Sequence, residues 1–94
     1  MRVAYTPASL RDFVAIGDFI AMQNRKRARS FVAELRTACR SLSSESERYP
    51  IIPVWRDVRR MPVGNYLVFY RIAGNTVQVL RVMHSAQDQR DLVL

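Results

Sequence analysis

The sequence predicts an α+β fold, with a helical hairpin packed on a small, mainly antiparallel sheet in the order β-α-α-β-β-β, as one domain over residues 1–94. Three observations carry this. Two blocks in the first half space their apolar residues at the helical period. From about Trp55 the spacing changes to every second residue, the period of strands. Short glycine-containing connections then divide that stretch into three strands, which reads as a meander.

Each element has a local cause. Val3 and Tyr5 alternate with polar neighbours, marking a short strand over Met1–Tyr5. Thr6 can cap a helix and Pro7 suits its first position. Leu10, Phe13, Val14, Gly17 and Ile20 follow as one apolar stripe, ending near Met22. Gly17 inside a helix costs up to about 1 kcal/mol relative to alanine, so its place on the stripe suggests a close approach by another element. Asn24 can cap the second helix, whose stripe is Ala28, Phe31, Val32, Leu35, Ala38, Cys39 and Leu42. The connection between the helices is too short for anything but an antiparallel hairpin. Two one-sided helices must then cover a sheet face. Pro50 and Pro53 bracket an extended loop. Arg56–Met61 reads as a strand, Pro62–Asn65 as a connection, Tyr66–Ala73 as a central strand and Thr76–Met83 as the last, after the tight turn at Gly74-Asn75.

Composition bounds the function. A chain of 94 residues can bury roughly two-thirds of its unfolded surface, so it needs no metal or disulfide to fold. One cysteine allows no internal disulfide and no zinc set, which fits a reducing cytoplasm. No run reaches the roughly 20 apolar residues of a membrane span, and the N-terminus lacks a secretory pattern. No cofactor or metal is expected. Fifteen Lys and Arg oppose eight Asp and Glu for a formal charge of +7, and Lys26 is the only lysine. Guanidinium grips carboxylate or phosphate through two parallel hydrogen bonds, so the bias suits an anionic partner. GC-rich codon usage would also favour arginine over lysine, but it does not account for the net charge.

Four residues stand out. Arg71 interrupts the apolar run Tyr66–Ile72 on the face of Leu67 and Phe69, where it must reach an edge, meet a carboxylate such as Asp57, or line a cleft. Arg60 and Arg81 fall on the flanking strands, and the three together would form an anion site if they share a face. A bulge at Gly64 or Gly74 would break that parity. His84, the lone histidine, ends the last strand, either as a general acid or base or as a half-buried side chain bonded to nearby backbone. Arg25, Lys26, Arg27 and Arg29 crowd the start of the second helix against its dipole, either as a contact surface or as a solvated face. Trp55 and Tyr49 either stack on bases or anchor the proline-rich loop. Cys39 lies on the apolar stripe and reads as packing.

These residues, in this order, resemble the RelE/ParE superfamily of bacterial type II toxins, in its ParE branch. The opening Tyr5-Thr6-Pro7-Ala8 with Asp12, and then Ile16 to Ala21, is similar to that family's first helix. Asn24, Ala28, Phe31, Leu35 and Leu42 match its second. Arg60 to Tyr66, Phe69-Tyr70-Arg71, and Val79 to His84 with Asp88 track its C-terminal strands. The resemblance covers nearly the whole chain. It implies a toxin neutralised by a cognate acidic antitoxin, in a hetero-oligomer, with no membrane role. It also implies one of two activities. ParE-like members are associated with inhibition of DNA gyrase and are not themselves nucleases. RelE-like members are ribosome-dependent mRNA endoribonucleases. Arg60, Arg71, Arg81 and His84 lie where nuclease members keep their catalytic groups. No lysine lies in the predicted sheet and no tyrosine follows Tyr70, so the expectation favours gyrase, with these four residues binding a partner. A toxin-like fold kept only as a partner module, and a small basic nucleic-acid-binding protein, are the remaining alternatives.

Overall fold

The computed structural model describes residues 1–94. The elements are β1 (Arg2–Tyr5), α1 (Pro7–Ala21), α2 (Arg25–Glu45), β2 (Arg59–Val63), β3 (Tyr66–Ala73) and β4 (Thr76–His84), followed by a 3-10 turn at Gln89–Asp91. The predicted order is the observed one. The four strands form one sheet in the order β1-β4-β3-β2, with β1 parallel to β4 and the other pairs antiparallel.

Both helix starts follow from their caps. The Thr6 hydroxyl accepts the Ser9 amide at 3.1 Å and donates to the Leu80 carbonyl at 2.8 Å, which fixes the start of α1 to β4. The Asn24 side chain accepts the Arg27 amide at 2.9 Å. Beyond the end of α2, Arg59 donates to the Tyr49 carbonyl at 2.6 Å and Tyr70 to the Ser46 carbonyl at 2.8 Å. These bonds satisfy main-chain groups that the helix no longer can.

The helices cover one sheet face. Phe13, Ile16, Phe31, Leu35, Cys39 and Leu42 pack there on strand residues including Tyr66, Val68, Tyr70 and Val79. A smaller apolar cluster lies on the outer face, where Ile52, Val58 and Leu92 cover Phe69, Leu80 and Met83. This second cover explains why β3 is apolar on both sides. Trp55 belongs to it, edge-on to Phe69 at 5.9 Å, and so anchors the loop.

Two expectations need correction. The buried side of α1 is Ser9, Phe13 and Ile16, while Leu10 and Val14 are exposed. The stripe is turned by about one residue because the small Ser9, bonded back to the Thr6 carbonyl at 2.8 Å, faces inward where Leu10 was expected. β2 begins at Arg59 rather than Arg56 and continues through Pro62 to Val63. Asp57, with φ of 63°, turns the chain before the strand can start. Pro62 is tolerated because β2 is an edge strand, where a missing amide breaks no ladder bond. The connection is accordingly the two residues Gly64-Asn65, with Gly64 at φ 57°. No helix is long and apolar enough to cross a membrane.

Candidate functional site

Register places the arginines around Phe69. Arg60 on β2 and Arg81 on β4 are its direct cross-strand neighbours, and Arg71 lies two residues along β3. Phe69 belongs to the outer cluster, so Arg60 and Arg71 fall on the face turned away from the helices. Arg60 donates to the Gln89 side-chain oxygen at 2.9 Å. Arg71 has no carboxylate partner, and its buried Nε has no hydrogen bond. Asp57 does not pair with it.

The bulge that interrupts parity occurs at neither glycine. Phe69 pairs with Arg81 and Tyr70 with Val79, leaving Leu80 as an extra residue on β4. Leu80 faces the outer cluster and Val82 the helical core. Arg81 reaches over the free edge of β4 to α1. Its Nε and Nη2 donate to the two Asp12 oxygens at 2.7 and 3.1 Å, and its Nη1 donates to the Val93 carbonyl at 2.9 Å. Asp12 also accepts the Val82 amide at 2.8 Å. Hydrogen bonding to Asp12 raises the Arg81 pKa above its ordinary value, against a smaller opposing effect of burial. This guanidinium is therefore permanently charged and locally neutralised.

His84 pairs with Tyr66 and stands edge-on to its ring at 5.0 Å, on the side of the helical core. Its Nδ1 accepts the Ala86 amide at 3.0 Å, so in the neutral ring the proton resides on Nε2. Together with Asp12, Phe19, Arg81 and Asp91 it lines a cleft of about 710 Å³. Arg60 and Arg71 do not line that cleft. The structure thus brings Arg60, Arg71 and Arg81 into register on neighbouring strands, but it sets His84 on the opposite side from Arg60 and Arg71.

The basic cluster at the start of α2 is partly absorbed. Arg27 pairs with Glu34 and lies over the Phe31 ring at 5.3 Å. Arg25, Arg29 and Arg36 instead line a groove of about 560 Å³ between the two helices, whose apolar lining includes Ala21, Ala28 and Val32. Gly17 is on this groove, and a side chain there would meet Val32 at 3.4 Å, the close approach its position suggested. Cys39 is fully buried, and burial pushes its thiol pKa up to about 12, which removes it as a nucleophile at neutral pH.

Sequence reasoning passed over Asp12 as a partner of Arg81, and passed over residues 89–93 altogether. The available signals were an acid beside Phe13 on a helix that otherwise buries apolar groups, and an apolar Leu92-Val93 after a polar stretch.

A family model described as the ParE toxin of the type II toxin-antitoxin system parDE matches residues 3–89. This chain belongs to that toxin family. Its fold is similar to a structure described as the chromosomal ParDE toxin-antitoxin system from P. aeruginosa, with a TM-score of 0.78 at 19% identity over 89% of this chain and 95% of the other. It is also similar to the RelBE2 toxin-antitoxin complex from Mycobacterium tuberculosis, with a TM-score of 0.67 at 25% identity over 88% of this chain and 95% of the other. The RelB-RelE complex from Methanococcus jannaschii gives 0.54 at 23% identity, over 87% of this chain and 89% of the other. No curated protein matches.

Proposed function

We propose that this ParE-type toxin inhibits DNA gyrase, acts by docking rather than by catalysis, and is neutralised by an acidic antitoxin. The observation that carries the docking reading is the separation of His84 from Arg60 and Arg71 across the sheet. Cleavage of a ribose-phosphate bond needs an acid-base group and a phosphate-stabilising cation around the same atoms. Here the only imidazole and the outer-face guanidiniums point to different sides. Arg81, which lines the cleft with His84 and pairs across from Phe69, is held by Asp12.

The antitoxin half of the proposal draws support from the interhelical groove. An apolar trough lined by Arg25, Arg29 and Arg36 suits an amphipathic helix that carries carboxylates, a segment that folds as it binds. The similar structures from M. tuberculosis and M. jannaschii are described as toxin-antitoxin complexes. Arg60, Arg71, Arg81 and His84 are proposed as contacts to a partner and not as catalytic residues.

A supercoiling assay with purified gyrase, with and without this chain, tests the target. Loss of supercoiling, relieved by the antitoxin, is expected. Unchanged supercoiling together with message cleavage on ribosomes would replace this reading with the endoribonuclease one.

A further inference from the structure

The chain does not leave the sheet after β4. It turns at Asp88, whose side chain accepts the Arg90 amide at 2.9 Å, and passes through the turn at Gln89–Asp91. Gln89 then meets Arg60 on β2, Leu92 enters the outer cluster beside Phe69 and Leu80, and the Val93 carbonyl meets Arg81 on β4. Six residues therefore span the outer face from one flank of β3 to the other, touching both arginines that border Phe69.

We propose that Asp88–Val93 is an autoinhibitory strap that competes with a phosphate-bearing polyanion for Arg60 and Arg81. The strap holds both guanidiniums through neutral acceptors, a side-chain amide and a main-chain carbonyl. A phosphate would make charge-assisted bonds about twice as strong, through the guanidinium fork of Arg60 and through the Nη1 that Val93 vacates on Arg81, whose other donors stay on Asp12. The strap is lightly fastened. Leu92 is its one buried side chain, and its main-chain hydrogen bonds, Asp91 to Asp88 and Leu92 to Gln89, stay within the turn and do not reach a strand. Segments of this kind open at low cost compared with the core.

Arg71 shows what opening would complete. It stands on the same face as Arg60, with a buried Nε that nothing in the chain satisfies. Releasing the strap joins it to the two neighbours of Phe69 as a row of three guanidiniums, in which Arg60 and Arg71 carry unpaired charge and Arg81 stays paired with Asp12. Phosphate suits this face better than an amphipathic peptide does. No strand residue is among the exposed large apolar side chains, whereas α1 exposes Leu10, Val14 and Phe19, and Met22 just after it is exposed too. With the strap closed these strands present cations and no exposed large apolar side chain. Opening it lifts Leu92 from Phe69, Leu80 and Met83, which Ile52 and Val58 also cover, and adds the cations that hold a nucleic-acid backbone. The inference is independent of which target the toxin acts on.

Isothermal titration of inorganic tripolyphosphate into the whole chain at low salt tests it. Gln89→Ala and Leu92→Ala should each bind about tenfold tighter than the parent, as expected if the closed strap holds about nine molecules in ten. Adding Arg60→Gln to either variant should abolish the gain. In the parent, hydrogen exchange at the Asp91 and Leu92 amides should accelerate when tripolyphosphate binds. Equal affinities in parent and strap variants, or a gain that survives Arg60→Gln, would overturn the proposal. So would slower exchange at those amides in the bound state. If Leu92→Ala unfolds, Gln89→Ala alone decides the affinity arm, because Gln89 is outside both apolar clusters.

Discussion

One Asp12 carboxylate serves two groups on β4, the Arg81 guanidinium at 2.7 Å and the Val82 amide at 2.8 Å. The second bond has the larger structural meaning. The bulge at Leu80 takes β4 past the end of β1, which pairs only as far as Val79. The Val82 amide would face an open edge, and a helix side chain supplies the acceptor instead. Asp12→Ala should cost about 2 kcal/mol, since it strands a half-buried cation and an amide together. Asp12→Asn keeps an acceptor and should cost about half as much. Urea unfolding of the three proteins checks this, and equal midpoints would contradict it.

Arg71 should behave in the opposite way. Its Nε is buried without a partner, so an apolar side chain of similar length removes an unsatisfied donor. Arg71→Met should leave stability unchanged or raise it by about 1 kcal/mol, while Arg81→Met lowers it by about 2 kcal/mol. The same Arg71→Met protein should bind polyanions more weakly. Stability and ligand affinity measured on one preparation would separate the two effects.

His84→Ala should retain gyrase inhibition within about threefold, because a docking toxin needs no proton transfer at that position. The readout is the concentration that halves supercoiling. Loss of inhibition by a variant with a native circular-dichroism spectrum would point to chemistry at the imidazole.

Alkaline pH should destabilise the fold through Cys39. Its thiol ionises near 9 when free and is pushed up to about 12 by burial. The stabilisation is fully present below pH 9. It fades as pH rises toward 12, because the unfolded chain releases the proton first. Burial raises Tyr5 and Tyr70 in the same direction. Unfolding free energy should fall between pH 8 and pH 10.5, and it should fall less in Cys39→Ala. In the folded protein at pH 8, the thiol should resist disulfide-exchange reagents until denaturant is added.

Gly17→Ala should stabilise the chain by up to about 1 kcal/mol, since a helix interior favours alanine. The added methyl would meet Val32 at 3.4 Å, a contact the valine can accommodate with a small shift. The same change narrows the interhelical groove, so antitoxin affinity should fall even as the midpoint of thermal unfolding rises.

α2 is legible in the sequence because all its information is local. A capping asparagine, a long stripe and a polar end suffice, and the buried set Ala28, Phe31, Leu35, Cys39 and Leu42 lies within the predicted one. α1 is legible as a helix but not in its facing, since Ser9 points inward through a hydrogen bond to the preceding turn that hydrophobic periodicity cannot register. β3 is legible as central from its apolar character on both faces. The start of β2 is not, because it depends on one left-handed residue, Asp57, whose conformation leaves no mark on alternation. At the site, Arg60 and Arg71 follow strand parity. Arg81 does not, because its environment depends on an unpaired residue and on an acid sixty-nine positions away. Such long-range pairings are invisible to any reading of neighbours.

The extra residue at Leu80 also has an evolutionary corollary. Each position of β4 beyond it is shifted in phase relative to Thr76–Val79, which is why Val82 points to the helices and His84 emerges beside Tyr66. Deleting the Leu80 codon would leave the pairs Val68–Val82, Phe69–Arg81 and Tyr70–Val79 as a regular ladder, with Val82 and His84 still on the helical side. Straightening the strand with Leu80 kept would instead slip everything after it by one position, and the imidazole would turn to the side of Arg60 and Arg71. The kink itself, and not the number of residues in β4, thus decides whether this scaffold gathers its titratable ring with its guanidiniums or keeps them apart.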